Sequence, residues 1–367
     1  RKTVRYCLSE LCQGWYQAAV EEEVSWWAVR LYKETLCFDD ILLVPQKSNT
    51  GSRHDIDLST TIGVNAKITL KLPIIAAPMD TVCEWQMALM LGKLGGLGII
   101  HRYMHVDDQA AQVARVAQAG VLVGAAIGAK GGYVDHAYKL VKAGAKVILV
   151  DTANGHNINC IIAVSELRRS FPNTHIMAGN VSTWQGFYEL QNAGVDSVRV
   201  GIGGGAVCTT RIVTGHGMPT LSSIMDVNEG YPVASIIADG GIRNSGDAVK
   251  ALAAGANAVM LGSALAGTDE SPGNKFIQDG STWKVFRGMA SKEAQETGRG
   301  TVSIIEGVST RVPYIGNLEN IIDDWKNGIK SGLSYSGVDS LIELRESAQY
   351  VKVSPLSTHE SRPHAKV

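Results

Sequence analysis

A short apolar run, a loop carrying Gly or Asp, and then a helix-forming stretch recur along this chain, and no other feature narrows its folding choices as far. The eight runs are Pro73–Ala77, Leu97–His101, Val121–Ala125, Val147–Asp151, Ile176–Ala178, Ser197–Val200, Ser235–Ala238 and Ala258–Gly262. Continuous apolar runs of this kind suit strands buried on both faces, as in a parallel sheet. Helices are predicted between them at Asp107–Ala119, Val134–Ala143, Asn159–Ser170, Trp184–Ala193 and Ser245–Ala254. Several close on Ala-Gly, at Ala119-Gly120, Ala143-Gly144, Ala193-Gly194 and Ala254-Gly255, where glycine can take the left-handed conformation that ends a helix. Eight such units predict an α/β fold of the closed (β/α)8 TIM-barrel type rather than an open doubly wound sheet.

A barrel of this kind gathers its chemistry at the C-terminal ends of its strands. Met79-Asp80, Asp151-Thr152-Ala153-Asn154-Gly155, Gly179-Asn180, Asp239-Gly240-Gly241 and Gly262-Ser263 all fall at such ends. A single strand-end aspartate reads equally well as a helix cap, whereas a rim of them points to a ligand site. The glycine-rich loops after the seventh and eighth runs lead toward helices and are placed to bind phosphate through backbone amides. After the sixth run comes Val200-Gly201-Ile202-Gly203-Gly204-Gly205-Ala206-Val207-Cys208-Thr209-Thr210-Arg211, which displays one cysteine on a glycine-rich loop. The alternative, a turn with a buried thiol, ranks second because free cysteines mostly sit inside apolar elements and this one precedes two hydroxyls and an arginine.

Composition removes several function classes. The chain has 367 residues, 45% hydrophobic and 19% charged, with a formal net charge of −1, so a broad basic surface for nucleic acid is not expected. No apolar run reaches the length of a membrane span, and Arg1-Lys2-Thr3-Val4-Arg5 is not followed by an unbroken signal core. The cysteines (Cys7, Cys12, Cys37, Cys83, Cys160, Cys208) form no C-x-x-C pair and do not cluster with histidines. Neither a zinc site nor a disulfide framework is therefore expected, and a cytoplasmic location is.

Several long motifs occur together: Phe38-Asp39-Asp40-Ile41-Leu42-Leu43-Val44-Pro45, Ala77-Pro78-Met79-Asp80-Thr81-Val82, the cysteine loop, Ala238-Asp239-Gly240-Gly241-Ile242-Arg243, Glu306-Gly307 and Glu360-Ser361-Arg362-Pro363-His364. In this order they resemble the inosine monophosphate dehydrogenase and guanosine monophosphate reductase family, from about residue 33 to the end. The resemblance implies a single catalytic barrel over 33–367, with a mobile flap at about 288–312 and a C-terminal tail at about 353–367. The regulatory two-domain insert is absent, since Ala119-Gly120 run straight into Val121. Residues 1–32 lie outside the resemblance, as an extension whose order the sequence does not define.

The resemblance also implies chemistry at the purine C2 carbon. Cys208 attacks C2 while hydride passes between C2 and the nicotinamide of NAD or NADP, and Thr210 and Glu306 handle protons, with Arg299 a further candidate. By the same resemblance Asp239 faces the ribose; Gly241, Gly262 and Ser263 hold phosphate; and Met79, Gly240, Gly288, Met289, Ala290 and Gly307 line the nucleotide. Asp151, Thr152, Ala153, Asn180, Gly201 and Gly203 match the dinucleotide side. The dehydrogenase branch adds a monovalent cation such as K+, held by carbonyls at Gly203, Gly205 and Cys208 with Glu360, Ser361 and Arg362 of a neighbouring subunit, in a homotetramer.

Departures from the family pattern bear on affinity and direction. Ala206 stands where a phosphate-binding serine is usual, and Phe286 where a tyrosine often contacts phosphate. The segment Met289–Glu306 contains Arg299 followed by Gly300, not the adjacent arginine and tyrosine with which dehydrogenases activate water. With the missing insert and the reductase-like Asp151–Gly155 and Ile176–Asn180, this leans the reading toward NADPH-dependent reductive deamination of GMP to IMP and ammonia. The alternative is oxidation of IMP with NAD and water to XMP, favoured by Pro78-Met79-Asp80, Ala238–Arg243 and the tail. A catalytically silent nucleotide-binding subunit and a flavin-holding barrel are remoter readings.

Overall fold

Residues of alternate parity in the barrel runs fall into two separate buried sets, and that division closes the sheet on itself. One set, including Ile75, Leu97, Ile99, Val147, Leu149, Met177, Ile237 and Met260, fills the interior. The other, including Ile74, Ile100, Ile148, Val150, Ile176, Val198, Val200, Ile236 and Val259, packs outward against helices. The structure is a computed structural model that describes residues 34–363. The N-terminal extension assigned to residues 1–32 lies outside the described residues.

Strand β1 (Ile41–Leu43) precedes an antiparallel hairpin, β2 (Thr60–Ile62) and β3 (Ile68–Leu70), which contributes Ile62 and Leu70 to the interior cluster. The barrel strands follow: β4 (Ile74–Ala76), β5 (Leu97–Ile100), β6 (Val123–Ile127), β7 (Val147–Asp151), β8 (His175–Val181), β9 (Ser197–Val200), β10 (Ser235–Asp239) and β11 (Ala258–Leu261). Each pairs in parallel with its neighbour in sequence, and β11 closes on β4. All eight expected strands are present; the third begins and ends two residues later than the sequence reading, and the fifth is longer at both ends.

Helices α1 (Trp85–Lys93), α2 (Val106–Gln118), α3 (Tyr133–Lys142), α4 (Ile158–Ser170) and α5 (Trp184–Asn192) follow β4 to β8 in turn. Next come α6 (Thr210–Thr214) and α7 (Thr220–Glu229) after β9, α8 (Ser245–Ala253) after β10 and α9 (Ser263–Ala266) after β11. Asn157, Thr183 and Asn244 cap α4, α5 and α8 by accepting the N–H groups of Asn159, Gly186 and Asp247. The Ala-Gly closures behave as read: Gly120, Gly144, Gly194 and Gly255 all have positive φ just past a helix. Because α2 ends at Gln118 and β6 begins at Val123, no further domain stands between them.

The excursion after α9 carries a three-stranded antiparallel sheet, β12 (Lys275–Gln278), β13 (Ser281–Arg287) and β14 (Ser309–Pro313), with α10 (Lys292–Arg299) between the last two. Helices α11 (Leu318–Tyr335) and α12 (Leu341–Ser347) cover the outside, β15 (Tyr350–Lys352) pairs with β1, and α13 (Ser357–Glu360) ends the described tail. Among the described residues no helix is long and apolar enough to cross a membrane.

Candidate active site

Cys208 lies two residues before a threonine whose hydroxyl it meets. Its Sγ–H donates to Thr210 Oγ1 at 3.1 Å, and Thr210 Oγ1 donates to Glu306 Oε2 at 2.8 Å. Glu306 is almost a hundred residues further on, yet a backbone ladder holds it there. Cys208 and Gly307 form a bridge, Thr209 N donates to Glu306 O, Val308 N to Val207 O, and Glu306 N to Ala290 O. The three side chains thus form a continuous hydrogen-bonded chain from thiol to carboxylate.

The loop below the cysteine depends on glycine. Gly201 has φ +139°, and a Cβ there would meet the carbonyl oxygen of Asp239 at 2.0 Å. The backbone of β9 can turn across the end of β10 only with hydrogen at this position. Arg211 runs back over the loop, close against both Gly203 and Gly217.

These residues open onto a cleft of about 610 Å³ at the C-terminal ends of the barrel strands, a volume suited to sizeable ligands. Met79, Asp151, Thr152, Ala153, Asn180, Gly201, Gly203, Gly205, Cys208, Thr210, Asp239, Gly240, Gly288, Met289, Ala290 and Glu306 all line it. Eight sequence-derived site residues do not, three of them in the C-terminal tail. Gly241, Gly262 and Ser263 stand at the ends of β10 and β11 outside the cleft lining, although Gly262 abuts Met79, which does line it. Gly307 faces Cys208 across the ladder, and Arg299 is the last residue of α10. Of the tail residues, Glu360 ends α13, Ser361 caps it, and Arg362 lies near enough to Asp39 to help hold that carboxyl below the usual range, behind the larger effect of Arg243.

The rim aspartates do not cap helices. Asp80 is paired with Arg287, whose Nε and Nη2 donate to Oδ2 at 2.9 and 2.6 Å. Arg287 N also donates to Thr81 Oγ1, so the end of β13 is fastened to the loop after β4. Asp151 accepts from Arg199 Nη1 at 2.7 Å and Arg102 Nε at 3.1 Å, and Asp239 accepts from Arg199 Nε and Nη2 and from Asn180 Nδ2. Burial works to raise the Asp151 carboxyl, but Arg199 and Arg102 outweigh it and hold the group below the usual carboxylate range. Gln295, 1% exposed, ties the excursion together by donating to the carbonyls of Ala290 and Ile304 and accepting from Ser303.

Arg102, Arg199, Arg287 and Gln295 are absent from the sequence-derived site. For Arg199 a signal was available, since an arginine inside the apolar run Ser197–Val200 must find buried acceptors. Arg287 carries no comparable signal because its partner Asp80 is distant in sequence, and Gln295 carries none because its partners Ala290, Ile304 and Ser303, though near, are backbone groups and a hydroxyl that no spacing marks. The described cysteines, Cys37, Cys83, Cys160 and Cys208, are all free; burial raises Cys83 well above a normal thiol and pushes Cys160 up to about 11, while Cys208 alone lies in the cleft.

Fold and cleft together define a (β/α)8-barrel enzyme with a cysteine, a threonine and a glutamate in line at the mouth. Comparison with known proteins narrows this further. The family model described as IMP dehydrogenase / GMP reductase domain matches residues 35–364. Proteins named inosine-5'-monophosphate dehydrogenase from Nitrosopumilus maritimus, Borreliella burgdorferi and Bacillus subtilis are 32%, 34% and 32% identical. The alignments cover 91%, 91% and 92% of this chain and 98%, 98% and 97% of those proteins. The chain belongs to the IMP dehydrogenase/GMP reductase family and is an oxidoreductase. The alignment to the Nitrosopumilus protein extends over 474 positions, more than the 367 residues present here, in keeping with a barrel that lacks an insert.

Proposed function

We propose that this chain is an IMP dehydrogenase, oxidising inosine monophosphate at C2 to xanthosine monophosphate with NAD. The observation that carries the reading is the Cys208–Thr210–Glu306 chain, taken with relatives that bear the dehydrogenase name. Of the three features that lean the sequence toward reductive deamination, the missing insert and the Asp151–Gly155 and Ile176–Asn180 motifs do not bear on water activation, and the missing arginine–tyrosine pair removes one route to it. A threonine hydroxyl already donating to a carboxylate supplies another.

Cys208 Sγ adds to C2 as the C2=N3 π bond moves its pair onto N3, and the thiol proton passes through Thr210 to Glu306, which releases it to solvent before water attacks; the pair on N3 re-forms the double bond as C2 loses hydride. Hydride leaves C2, and NAD, when bound, supplies the acceptor. Water then opens the thioimidate at C2 and restores the thiol, with Thr210 and Glu306 taking the water's proton. Asp239 directs its three protein bonds to Oδ2, which leaves Oδ1 for ribose hydroxyls. Gly241, Gly262 and Ser263 would hold the phosphate, and Met79, Gly288, Met289 and Ala290 the base. The dinucleotide fits along Asp151, Thr152, Ala153, Asn180, Gly201 and Gly203, a wall whose side-chain polar groups are already ordered: Thr152 donates to Gly179 O, and Asn180 to Gly201 O. Segment 288–312 is the flap that covers this cleft.

The same reading gives a cytoplasmic homotetramer with K+ at the carbonyls of Gly203, Gly205 and Cys208, completed by Glu360, Ser361 and Arg362 of a neighbouring copy. The Gly205 carbonyl accepts one bond, from Cys208 N, and keeps a lone pair for an ion.

The test is nicotinamide absorbance in two mixtures, IMP with NAD and K+, and GMP with NADPH. Rising absorbance in the first, abolished by Cys208→Ala, is expected. Falling absorbance in the second with ammonia released would make the chain a reductase, and silence in both with nucleotide still bound would make it a binding subunit.

A further inference from the structure

Along β7, β9 and β10 the interior-facing residues can be followed upward by parity. Beyond Val147 and Leu149 comes Asp151; beyond Ser197 comes Arg199; beyond Ile237 comes Asp239. The apolar barrel core is therefore roofed, directly beneath the cleft, by a layer of two carboxylates with one guanidinium between them. Arg199 is 8% exposed and spends its donors on both carboxylates at once, Nη1 on Asp151 and Nε with Nη2 on Asp239.

We propose that Arg199 is a positioning residue that joins the nucleotide and dinucleotide subsites, aiming Asp239 at one ribose and Asp151 at the other and making the occupancy of each site felt in the other. This rests on the reading that the cleft takes a purine nucleotide beside a dinucleotide, and it holds for either direction of hydride transfer.

The argument is geometric. A guanidinium is planar, with its donors in a fixed fork, so it cannot tilt toward one carboxylate without lengthening its bonds to the other. Asn180 is the other side chain donating to Asp239, and Arg102 the other donating to Asp151; neither reaches both. Two half-buried carboxylates across so short a span would repel without a shared cation, and each would be free to turn from its ligand. A ligand that fixes one carboxylate therefore fixes the fork, and with it the second carboxylate, so binding at either site should strengthen binding at the other by the same factor.

The test is calorimetric titration of the purified full-length chain with IMP and with NADH, each alone and each with the other present, with GMP and NADP as the second pair. Neither pair turns over. Arg199→Lys keeps a charge and loses the fork; Arg199→Gln loses both. For Arg199→Lys each ligand alone should bind about tenfold or more weakly, as follows from losing charge-assisted bonds. The mutual strengthening seen in the parent should disappear, while the melting temperature stays close to the parent's. Weakening confined to one ligand, or mutual strengthening that survives in Arg199→Lys, overturns the inference and leaves the proposed function standing. A merely structural role would lower the melting temperature and the fraction of competent protein while leaving the dissociation constants of that fraction unchanged. If Arg199→Gln does not fold, Arg199→Lys decides alone. If the parent binds neither nucleotide nor dinucleotide, the proposed function falls and takes this inference with it.

Discussion

Glu306 stands at the far end of the hydrogen-bonded chain from Cys208, so under the proposed dehydrogenase reaction its removal should separate two steps that share Cys208. In that reaction attack on C2 would need the thiol proton to leave only once and to any acceptor, whereas opening the thioimidate would need a base positioned for water. Glu306→Gln keeps the hydrogen-bonding shape and loses the base, and should lower steady-state turnover by about a hundredfold or more. The first burst of reduced nicotinamide should remain in stopped flow; loss of the burst together with turnover would refute this division of labour. Ala206 poses the opposite case, a missing contact that can be restored. It is exposed at the tip of the cysteine loop, and Ala206→Ser should tighten IMP binding about fivefold, as one added hydrogen bond to a charged group allows. An unchanged dissociation constant would mean that this loop does not approach the phosphate. Residues such as Cys208 and Thr210 were legible because their spacing is local and their chemistry unusual in a glycine loop. Arg199, by contrast, sat unnoticed within a strand motif, since its meaning lies in two aspartates on other strands.

Among the elements, the barrel strands announced themselves and the excursion did not. Apolar runs with Gly or Asp at one end or just beyond repeat eight times, while β12 and β14 are mostly exposed, β13 buries only Lys284 and Phe286, and α10 is nearly all polar. Helix α1 was also missed: Glu84 at its N-cap makes no capping bond, so no start signal precedes it. Besides the Gln295 hydrogen bonds, a close contact at its end holds α10 in place. A Cβ added at Gly298 would stand 2.3 Å from the ring of Tyr103, so the flap helix lies flat against the loop after β5 only because that hydrogen is small. An aromatic ring wall cannot yield as a flexible chain end does. Gly298→Ala should therefore lift the flap, lowering kcat about tenfold or more as water enters the cleft. The melting temperature should move little, because the contact lies outside the barrel. A variant with parent kcat would show that the flap's seat on Tyr103 plays no part in turnover.

At the scale of the whole molecule, the barrel is chemically different at its two ends. The cleft end holds charges for ligands, and the opposite end, closed by the β2–β3 hairpin, holds charges for structure. There Asp196 Oδ1 accepts the consecutive N–H groups of Val64, Asn65 and Ala66, and Oδ2 accepts Ile176 N and Arg168. Beside it His175, 1% exposed, spans Ala66 O at 2.9 Å and Ser197 Oγ at 2.8 Å. A neutral ring can donate to the carbonyl and accept from the hydroxyl, whereas a charged ring would have no acceptor left for Ser197. Burial is the main cause that lowers His175 below its ordinary 6.5, outweighing the nearby Asp196. The unfolded chain therefore takes up this proton first as pH falls, and stability should start to decline below about pH 6.5, at no more than about 1.4 kcal/mol per pH unit for one histidine, until the folded-state value is passed. Asp196, held below its ordinary 3.8 despite burial, contributes stability that is present above that pH and is lost only in stronger acid, so its window opens well below the pH at which the His175 contribution begins to fall. His136, also lowered chiefly by burial, adds a second contribution of the same sign as His175. Thermal melts between about pH 7.5 and 5 should thus show a falling midpoint, and His175→Gln, which preserves a donor and an acceptor without a titrating ring, should remove roughly half of that slope. An undiminished slope in His175→Gln would mean that the hairpin floor stays closed with a charged ring beneath it, and that the acid sensitivity of this barrel arises elsewhere.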